Sequence, residues 1–278
     1  MSRTTEHDKI RNGVRESYAK IAQDAEDAEK IGGCAPVSGC CGTGQGSETL
    51  VEVAKGLGYT DADMADIPEG ANLGLGCGNP QMMASLQEGE VALDLGSGAG
   101  FDCFIAGKRV GPTGKALGVD MTPEMITRAR QNAAESGFDN CEFRLGEIEH
   151  LPVADESVDV VMSNCVFNLS PDQPQVFREA FRVLKPGGRL SISDVVATAE
   201  LPPEIKEDQK MFSGCIAGAA SIAELETWMK DAGFENVSVR PWDESKAFIG
   251  QWAPGRRIED YITSAFIQAT KPGRKSCC

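Results

Sequence analysis

An α/β fold built on a parallel sheet is predicted by three features of this sequence. Short apolar runs alternate with amphipathic stretches between residues 91 and 195, so strands and helices follow one another along the chain. A glycine-rich turn separates the first strand from its helix, and a Lys-Pro-Gly-Gly turn is predicted at 185–188 before the last strand. Such alternation indicates parallel strands joined by right-handed crossovers, with helices on both faces.

The core elements are predicted from the spacing of their apolar residues. Strands are expected at 91–95, 116–119, 140–144, 158–163 and 189–195, and helices at 101–110, from 122 onward and at 174–184. Thr122 suits a helix N-cap because its hydroxyl can accept a backbone N–H, and Pro123 suits the first helical position. Ligands of such sheets bind beyond the carboxyl ends of the strands.

The segments on either side of this core are less regular. Before it, apolar residues at helical spacing predict a helix over 7–28, and shorter helices are expected at 48–56, after a cap at Thr60 or Asp61, and at 81–87. After it, two helices are expected within 201–234, then strands at 237–240, 248–251 and 262–270. We therefore divide the chain into an N-terminal helical segment with a thiol-rich, mobile loop (1–70), a core (71–200) and a C-terminal α+β cap and sheet extension (201–278).

Composition narrows the function classes. The 278 residues carry a formal net charge of −15, which repels nucleic acid on average. Neither a membrane-spanning apolar run nor the apolar core of a secretory signal is found, so we expect a cytoplasmic protein without nucleic-acid or membrane partners. Ten cysteines in such a protein are better explained as ligands or redox groups than as structural disulfides. The two histidines leave little for a His-rich metal site or a Ser-His-Asp triad.

The turn Gly96-Ser97-Gly98-Ala99-Gly100, between the first strand and its helix, predicts a site for a small charged cofactor. Its glycines let the backbone approach a ligand closely, and N–H groups at a helix start favour a carboxylate or phosphate. The third glycine comes one residue too early for a dinucleotide fingerprint, and Asp94 precedes the turn. Asp120 ends the second strand, where an α/β fold places the acid that binds ribose hydroxyls.

These residues resemble the class I S-adenosylmethionine (SAM) methyltransferases, which have a Rossmann-like sheet. The resemblance implies that the turn cradles the methionine end of SAM, that Asp94 helps to hold that end, and that Asp120 holds the ribose. The positions expected to bind the cofactor here are Asp94, Gly96, Ser97, Gly98, Gly100, Asp120, Met121 and Asn164. A purely structural strand-to-helix turn is the alternative explanation of the motif.

Three cysteines occupy contexts that would place them around this cofactor. Cys77 lies in a glycine-rich loop before the first strand, Cys165 directly follows the fourth strand, and Cys215 lies at the junction of the C-terminal helices. Cys165 is the best placed, because a residue past the carboxyl end of that strand faces the cofactor crevice. None is in a CxxC pair, which argues against a zinc ribbon. Cys103 and Cys141 are expected to be small buried hydrophobes.

The segments ANLGLGCGNP, VALDLGSGAGFDCF, SNCVFNLSPD and SGCIAGA resemble the arsenite methyltransferases, and the likeness covers nearly the whole chain. It implies methylation of arsenite with SAM and a thiol reductant of the glutathione or thioredoxin type, as a detoxification. Cys165 and Cys215 match the arsenic-binding cysteines of the family, and Cys77 matches a third. A further, N-terminal cysteine of the family could be Cys34, Cys40 or Cys41, of which Cys41 is the candidate for a catalytic role. In the loop GEIEHLP, Glu147 and Ile148 match the segment that contacts adenine, although Glu147 could also be a solvated loop acid.

The chemistry of arsenic agrees with this resemblance. Trivalent arsenic is a soft centre with a lone pair, and thiolates are the protein ligands suited to it. In-line methyl transfer then depends mainly on orientation, and no general base is needed because the nucleophile carries no proton. Transfer leaves arsenic formally pentavalent, so Cys77 and one N-terminal cysteine are expected to supply electrons by forming a disulfide that external thiols reset. Cys277 and Cys278 either collect arsenic or form a loose tail.

Two other functions remain open at this point. A SAM methyltransferase of a small organic acceptor, such as a quinone or sterol precursor, predicts activity that survives serine at Cys165 and Cys215. A non-catalytic thiol-rich binder of arsenic, antimony or zinc predicts metalloid binding that survives Asp94→Ala, with no methylated product. A monomer is the default expectation, while the oligomeric state and the final methylation state of the product are not fixed by the sequence.

Overall fold

One mixed sheet of seven strands forms the centre of the structure, a computed structural model that describes residues 3–30 and 49–274. The strands are β1 (Val91–Leu95), β2 (Lys115–Asp120), β3 (Cys141–Leu145), β4 (Val158–Asn164), β5 (Leu184–Ala197), β6 (Glu235–Trp242) and β7 (Ile262–Thr270). Their order is β3-β2-β1-β4-β5-β7-β6. Strands β1 to β5 are parallel, but β7 pairs antiparallel with both β5 and β6. The predicted α/β class is confirmed, and the five core strands are parallel as predicted.

Eleven α-helices flank this sheet within the described residues. They are α1 (Arg3–Lys30), α2 (Leu50–Gly56), α3 (Asp61–Met64), α4 (Gln81–Ala84), α5 (Phe101–Val110), α6 (Pro123–Ser136), α7 (Gln173–Val183), α8 (Pro203–Lys206), α9 (Gln209–Ser213), α10 (Ile222–Ala232) and α11 (Lys246–Ile249). Thr60 caps α3 as predicted, whereas Thr122 precedes α6 without a side-chain capping bond. Among the described helices, none has the length and apolar character needed to cross a bilayer.

Several predicted elements differ from those observed. Helix α4 stops at Ala84, short of the predicted 81–87, because Ser85 adopts a left-handed conformation with φ of 47°. The predicted turn at 185–188 is part of β5, with a register irregularity against β4. The predicted strand at 248–251 is wrong: 246–249 form α11, and Phe248 packs its ring between Trp242 and Trp252, at centroid distances of 5.7 Å to each. Within 201–234 there are three helices, α8, α9 and α10, instead of the two predicted.

The parallel strands bring the predicted cofactor residues to one edge of the sheet. Gly96 follows β1, Asp120 ends β2, and Asn164 ends β4, next to β1 in the sheet. Helix α1 packs across this edge, against α6 and α9. The loops after the strands and the N-terminal helix therefore enclose a common cleft.

Candidate active site

The cleft begins at the glycine turn that follows β1 and has an empty volume of about 1040 Å³, including its open mouth. Gly96 and Gly98 have φ angles of 70° and 51°, in the left-handed region that favours glycine. A Cβ atom at Gly96 would lie 2.4 Å from Cγ2 of Val166. The absence of side chains at these positions keeps the backbone of the turn accessible from the cleft.

Asp120 connects this turn to the end of β2. Its Oδ2 accepts a hydrogen bond from the Gly98 N–H at 3.0 Å, and its Oδ1 accepts one from the Thr122 N–H at 2.8 Å. Nearby, the buried Ser97 hydroxyl has no hydrogen-bond partner within the described residues. A buried polar atom is costly without a partner, which is consistent with a polar ligand in this part of the cleft.

Three carboxyl groups, those of Asp94, Asp102 and Asp120, line the cleft at the turn. Burial raises the pKa of each of them, and for Asp94 the neighbouring charges of Asp102 and Asp120 raise the pKa further. Ionised carboxylates at this density favour a cationic ligand. SAM fits this requirement because it carries a sulfonium and an ammonium group, and the glycine cradle, the Ser97 hydroxyl and Asp94 are suited to its methionine end.

Asn164, predicted to bind the cofactor, also links the cleft to the first thiol. Its Oδ1 accepts a hydrogen bond from the Cys77 N–H at 3.1 Å. Its Nδ2 donates to the Tyr59 hydroxyl at 3.0 Å, to the Gly78 carbonyl at 2.9 Å and to Asp102 at 3.3 Å. The Tyr59 hydroxyl in turn donates to Asp102, with distances of 2.8 and 2.9 Å to its two oxygens. One buried network thus fixes the start of α5 and the Cys77 loop together.

Two acids of the loop after β3 share Arg11 of α1, whose Nε lies 3.4 Å from a Glu147 oxygen and 3.6 Å from a Glu149 oxygen. Ile148 and Glu149 line the cleft, whereas Glu147 forms ion pairs of 3.4 Å with Arg11 and Arg15 of α1. Glu149 is buried and accepts a 2.6 Å hydrogen bond from the Ser170 hydroxyl. The structure therefore makes Glu149 a candidate for ligand contact beside the predicted Glu147. Met121 lines the same cleft, and its carbonyl oxygen accepts a hydrogen bond from Arg15 Nε at 3.2 Å.

Cys165 and Cys215, predicted to bind arsenic, occupy two adjoining turns. Both are buried and both have a left-handed backbone, with φ of 59° and 61°. The Cys215 thiol donates to the Cys165 carbonyl at 2.7 Å, and the Cys165 N–H donates to the Ser193 carbonyl at 2.8 Å. Cys165 also lines the cleft, beside Asn164. These contacts bring the two turns together at the carboxyl edge of the sheet.

Cys77 is fully buried and lies near the same place. Its thiol is 3.7 Å from the Ser193 carbonyl, which also accepts the Cys165 N–H. The Cys77 and Cys165 thiols and a carboxylate oxygen of Asp194 lie within 4.8 Å of one another. The Cys215 thiol is outside this group in the described part of the chain, so the group joins two of the three predicted thiols with an acid.

The remaining cysteines fall into two sets. Cys103 is fully buried in α5, while Cys141 on β3 is only half-buried. Burial, together with the neighbouring Cys141 thiol, raises the pKa of Cys103 well above its usual value, which makes it a poor nucleophile. The other five lie outside the described residues: Cys34, Cys40, Cys41, Cys277 and Cys278.

Comparison with known proteins decides among the functional classes. A protein family described as "Methyltransferase domain" matches residues 86–233. An arsenite methyltransferase of Halobacterium salinarum is 49% identical over 274 residues, which cover 96% of this chain and 68% of that protein. This chain belongs to the arsenite methyltransferase family.

Two further relatives of the family agree with this assignment. An arsenite methyltransferase of Aquipseudomonas alcaligenes is 36% identical over 81% of this chain and 62% of its own length. The crystal structure of an arsenic(III) S-adenosylmethionine methyltransferase from Chlamydomonas reinhardtii superposes with a TM-score of 0.60 at 28% identity, covering 83% of this chain and 76% of that one. The chain thus spans about two thirds of the length of the first two relatives, and it has the class I SAM methyltransferase fold.

Sequence reasoning missed several residues of the site. Tyr59 and Asp102 join the network at Asn164, and Arg11, Val14 and Tyr18 of α1 line the cleft. Asp194 lies inside the buried part of β5. An acid in a buried strand is unusual, and this feature of the sequence could have marked Asp194 as a candidate site residue. No such signal marked Tyr59, because its role depends on a contact across 105 residues of chain.

Proposed function

We propose that this arsenite methyltransferase transfers methyl groups from SAM to trivalent arsenic held by cysteine thiolates, as a detoxification. The observation that carries the proposal is the buried thiol group of Cys77 and Cys165, with Cys215 in contact with the Cys165 turn, beside a cleft lined by carboxylates. Soft thiolates suit arsenic, and the acids suit a cationic methyl donor. When bound, SAM supplies an electrophilic methyl group on its sulfonium.

The residues of the chain account for binding and orientation. Asp94 and Asp120 offer carboxylates to the donor, and the Gly96–Gly100 turn offers open backbone. The three cysteines hold arsenic with its lone pair free, so the arrangement works by orientation. Neither His7 nor His150 lines the cleft, in keeping with an acceptor that has no proton to remove.

The reductive half of the cycle is part of the same proposal. Methyl transfer leaves arsenic pentavalent, and its return to the trivalent state takes two electrons. Two thiols can supply them by losing their protons and joining in a disulfide, and we assign this role to Cys77 and one of Cys34, Cys40 or Cys41. An external thiol of the glutathione or thioredoxin type then reduces the disulfide. The cytoplasmic location and the monomeric state stay predictions from the sequence.

Speciation of arsenic tests the proposal. The chain is incubated with SAM, arsenite and glutathione, and soluble and volatile arsenic species are measured. We expect methylated arsenic from the wild-type chain and from Cys141→Ser, whose thiol is remote from the cleft edge, and almost none from Cys165→Ser. Unchanged arsenite with the wild-type chain would overturn the proposal, and methylation of a quinone instead would support the organic-acceptor alternative.

A further inference from the structure

The group formed by Cys77, Cys165 and Asp194 has the donor set of a zinc site. All three residues are buried, and their two sulfur atoms and one carboxylate oxygen lie within 4.8 Å of one another. In a tetrahedral zinc site the metal lies about 2.0–2.3 Å from each ligand, which places the ligand atoms about 3.4–3.8 Å apart. Side-chain shifts of about 1 Å would therefore close the group on an ion.

Asp194 is oriented in the way that metal-binding carboxylates usually are. Its Oδ1 accepts hydrogen bonds from Asn168 Nδ2 at 2.9 Å and from the Val195 N–H at 2.8 Å, and its Oδ2 accepts one from the Phe167 N–H at 2.9 Å. Outer partners of this kind fix a ligating carboxylate and raise metal affinity. Cys77 and Cys165 are held too, through their backbone N–H groups, by Asn164 and by the Ser193 carbonyl.

A site with both sulfur and oxygen donors is suited to zinc and less suited to arsenic. Trivalent arsenic is soft and takes thiolates, so the proposed arsenic site uses Cys77, Cys165 and Cys215. Zinc is of intermediate softness and binds thiolate and carboxylate together. Asp194 belongs to the second set only, and Cys215, whose thiol donates to the Cys165 carbonyl, belongs to the first set only.

We propose that Cys77, Cys165 and Asp194 bind one Zn²⁺ ion, which competes with arsenite for the two shared thiols. Three protein ligands leave a fourth position for an exchangeable ligand, as in zinc sites that are open on one side. Binding releases the two thiol protons to solvent, because the ligands are thiolates. Zinc binding itself is independent of the proposed function, while its competition with arsenite rests on it.

The experiment uses the full chain with Cys34, Cys40, Cys41, Cys277 and Cys278 replaced by serine, so that thiols outside the described residues bind no metal. The reduced protein is titrated with Zn²⁺ against a chromophoric chelator, and with Co²⁺ to record thiolate-to-metal charge-transfer absorption. We expect one equivalent of Zn²⁺, bound at least about tenfold more weakly after Cys77→Ser or Asp194→Asn. Cys141→Ser serves as the matched control, since its thiol lies elsewhere, and it should bind Zn²⁺ as before.

Two variants distinguish the zinc set from the arsenic set without reference to catalysis. Cys215→Ser should keep Zn²⁺ affinity and lose affinity for arsenite, whereas Asp194→Asn should do the reverse. SAM binding by each variant is measured to show that it is folded. Absence of Zn²⁺ binding, or binding that is unchanged in Cys77→Ser and Asp194→Asn, overturns the inference, as does equal loss of Zn²⁺ in Cys215→Ser. If only the proposed function is wrong, Zn²⁺ should still bind as predicted, and only the predicted competition with arsenite would be absent.

Discussion

The Tyr59 hydroxyl is a single group on which several buried polar contacts depend. It donates to the Asp102 carboxylate and accepts from Asn164, and Asn164 holds the Cys77 backbone. Burial, followed by the charge of Asp102, raises the pKa of Tyr59 well above its usual value, so the hydroxyl stays protonated and remains a donor. The position of Cys77 is therefore coupled to a residue that is not itself predicted to bind arsenic.

Replacing Tyr59 by phenylalanine should lower the free energy of unfolding by about 1–3 kcal/mol, since Asp102 and Asn164 each lose a buried partner. Urea unfolding followed by circular dichroism measures this change. Tyr261→Phe is the matched control: Tyr261 is half-buried and no hydrogen bond of its hydroxyl is found within the described residues. A surface-like change of about 0.5 kcal/mol or less is expected there. Equal effects of the two substitutions would contradict the role of the Tyr59 hydroxyl.

We expect the buried acids to make SAM binding depend on pH. Because burial raises the pKa of Asp94, Asp102 and Asp120, these groups are partly protonated at a pH where exposed acids are ionised. A cationic ligand prefers the carboxylates, so SAM affinity should increase as the pH rises. The stability of the ligand-free fold should change with pH in the opposite direction. A raised carboxyl pKa stabilises the fold at low pH, and this contribution is lost as the pH rises from about 4 through the raised pKa.

Calorimetric titration between about pH 5.5 and 8 measures this pH dependence. If SAM binding lowers the pKa of one of these carboxyl groups by one unit, the affinity changes by about tenfold across the titration. S-adenosylhomocysteine, which lacks the sulfonium charge, is the control ligand and should show a weaker pH dependence. The same pH profile for both ligands would argue against an electrostatic role of the acids.

Acids at strand ends could be located from the sequence, whereas the two acids of the loop after β3 could not be told apart. Asp94 and Asp120 could be located because each lies at the end of a short apolar run. Glu147 and Glu149 could not be distinguished, because a loop has no periodicity to say which acid faces the cleft. In the structure Glu147 pairs with Arg11 and Arg15, whereas Glu149 pairs with Arg11 and also lines the cleft.

Among the elements, the segment after α9 packs closely against the short 3₁₀ turn Phe167–Leu169, which follows Cys165. A Cβ atom at Gly218 would lie 2.0 Å from the Asn168 carbonyl oxygen, which is backbone and cannot rotate away. Asn168 Nδ2 contacts the Asp194 carboxylate and the Cys215 carbonyl. Any displacement of this turn therefore reaches both cysteine-bearing segments.

Gly218→Ala should destabilise the chain by about 1–3 kcal/mol through overpacking and should weaken arsenite binding. Gly56→Ala, at the end of α2 with no atom within 4 Å of its Cβ position, should be neutral or slightly stabilising. Thermal unfolding and arsenite titration of both variants provide the comparison. Wild-type arsenite affinity in Gly218→Ala would show that the contact between the two segments does not position the thiols.

Features with a strong local sequence pattern were predicted correctly, whereas features that depend on distant partners were not. Strands β1, β2 and β4 each contain a short apolar run next to a turn or helix, so their sequence pattern is strong. The C-terminal elements depend on partners: β7 runs antiparallel because it pairs with β5 and β6, and nothing local fixes that direction. Helix α11 has only four residues, too few to show a helical period, and its aromatic and aliphatic residues favoured a strand.

At the scale of the whole molecule, the formal net charge of −15 acts against compactness. Like charges repel across the surface at low ionic strength, where the Debye length is about 30 Å at 0.01 M, and salt shortens this to about 8 Å at 0.15 M. The melting temperature should therefore rise with KCl at pH 7.5, by about 2–4 °C for each kcal/mol of repulsion removed. At pH 5, near the pI of about 4.6, the same salt series should have a much smaller effect. A fall in melting temperature with salt at pH 7.5 would mean that local ion pairs outweigh the net repulsion.

The left-handed backbone of Cys165 and Cys215 has a consequence for directed evolution. Glycine and asparagine adopt this conformation at lower cost than other side chains, so both positions favour them energetically. A library selected only for expression or heat resistance should accumulate glycine or asparagine at positions 165 and 215 and so lose both thiols. Selection on growth in arsenite should retain both cysteines, so that their fate in parallel lineages would distinguish pressure on chemistry from pressure on folding.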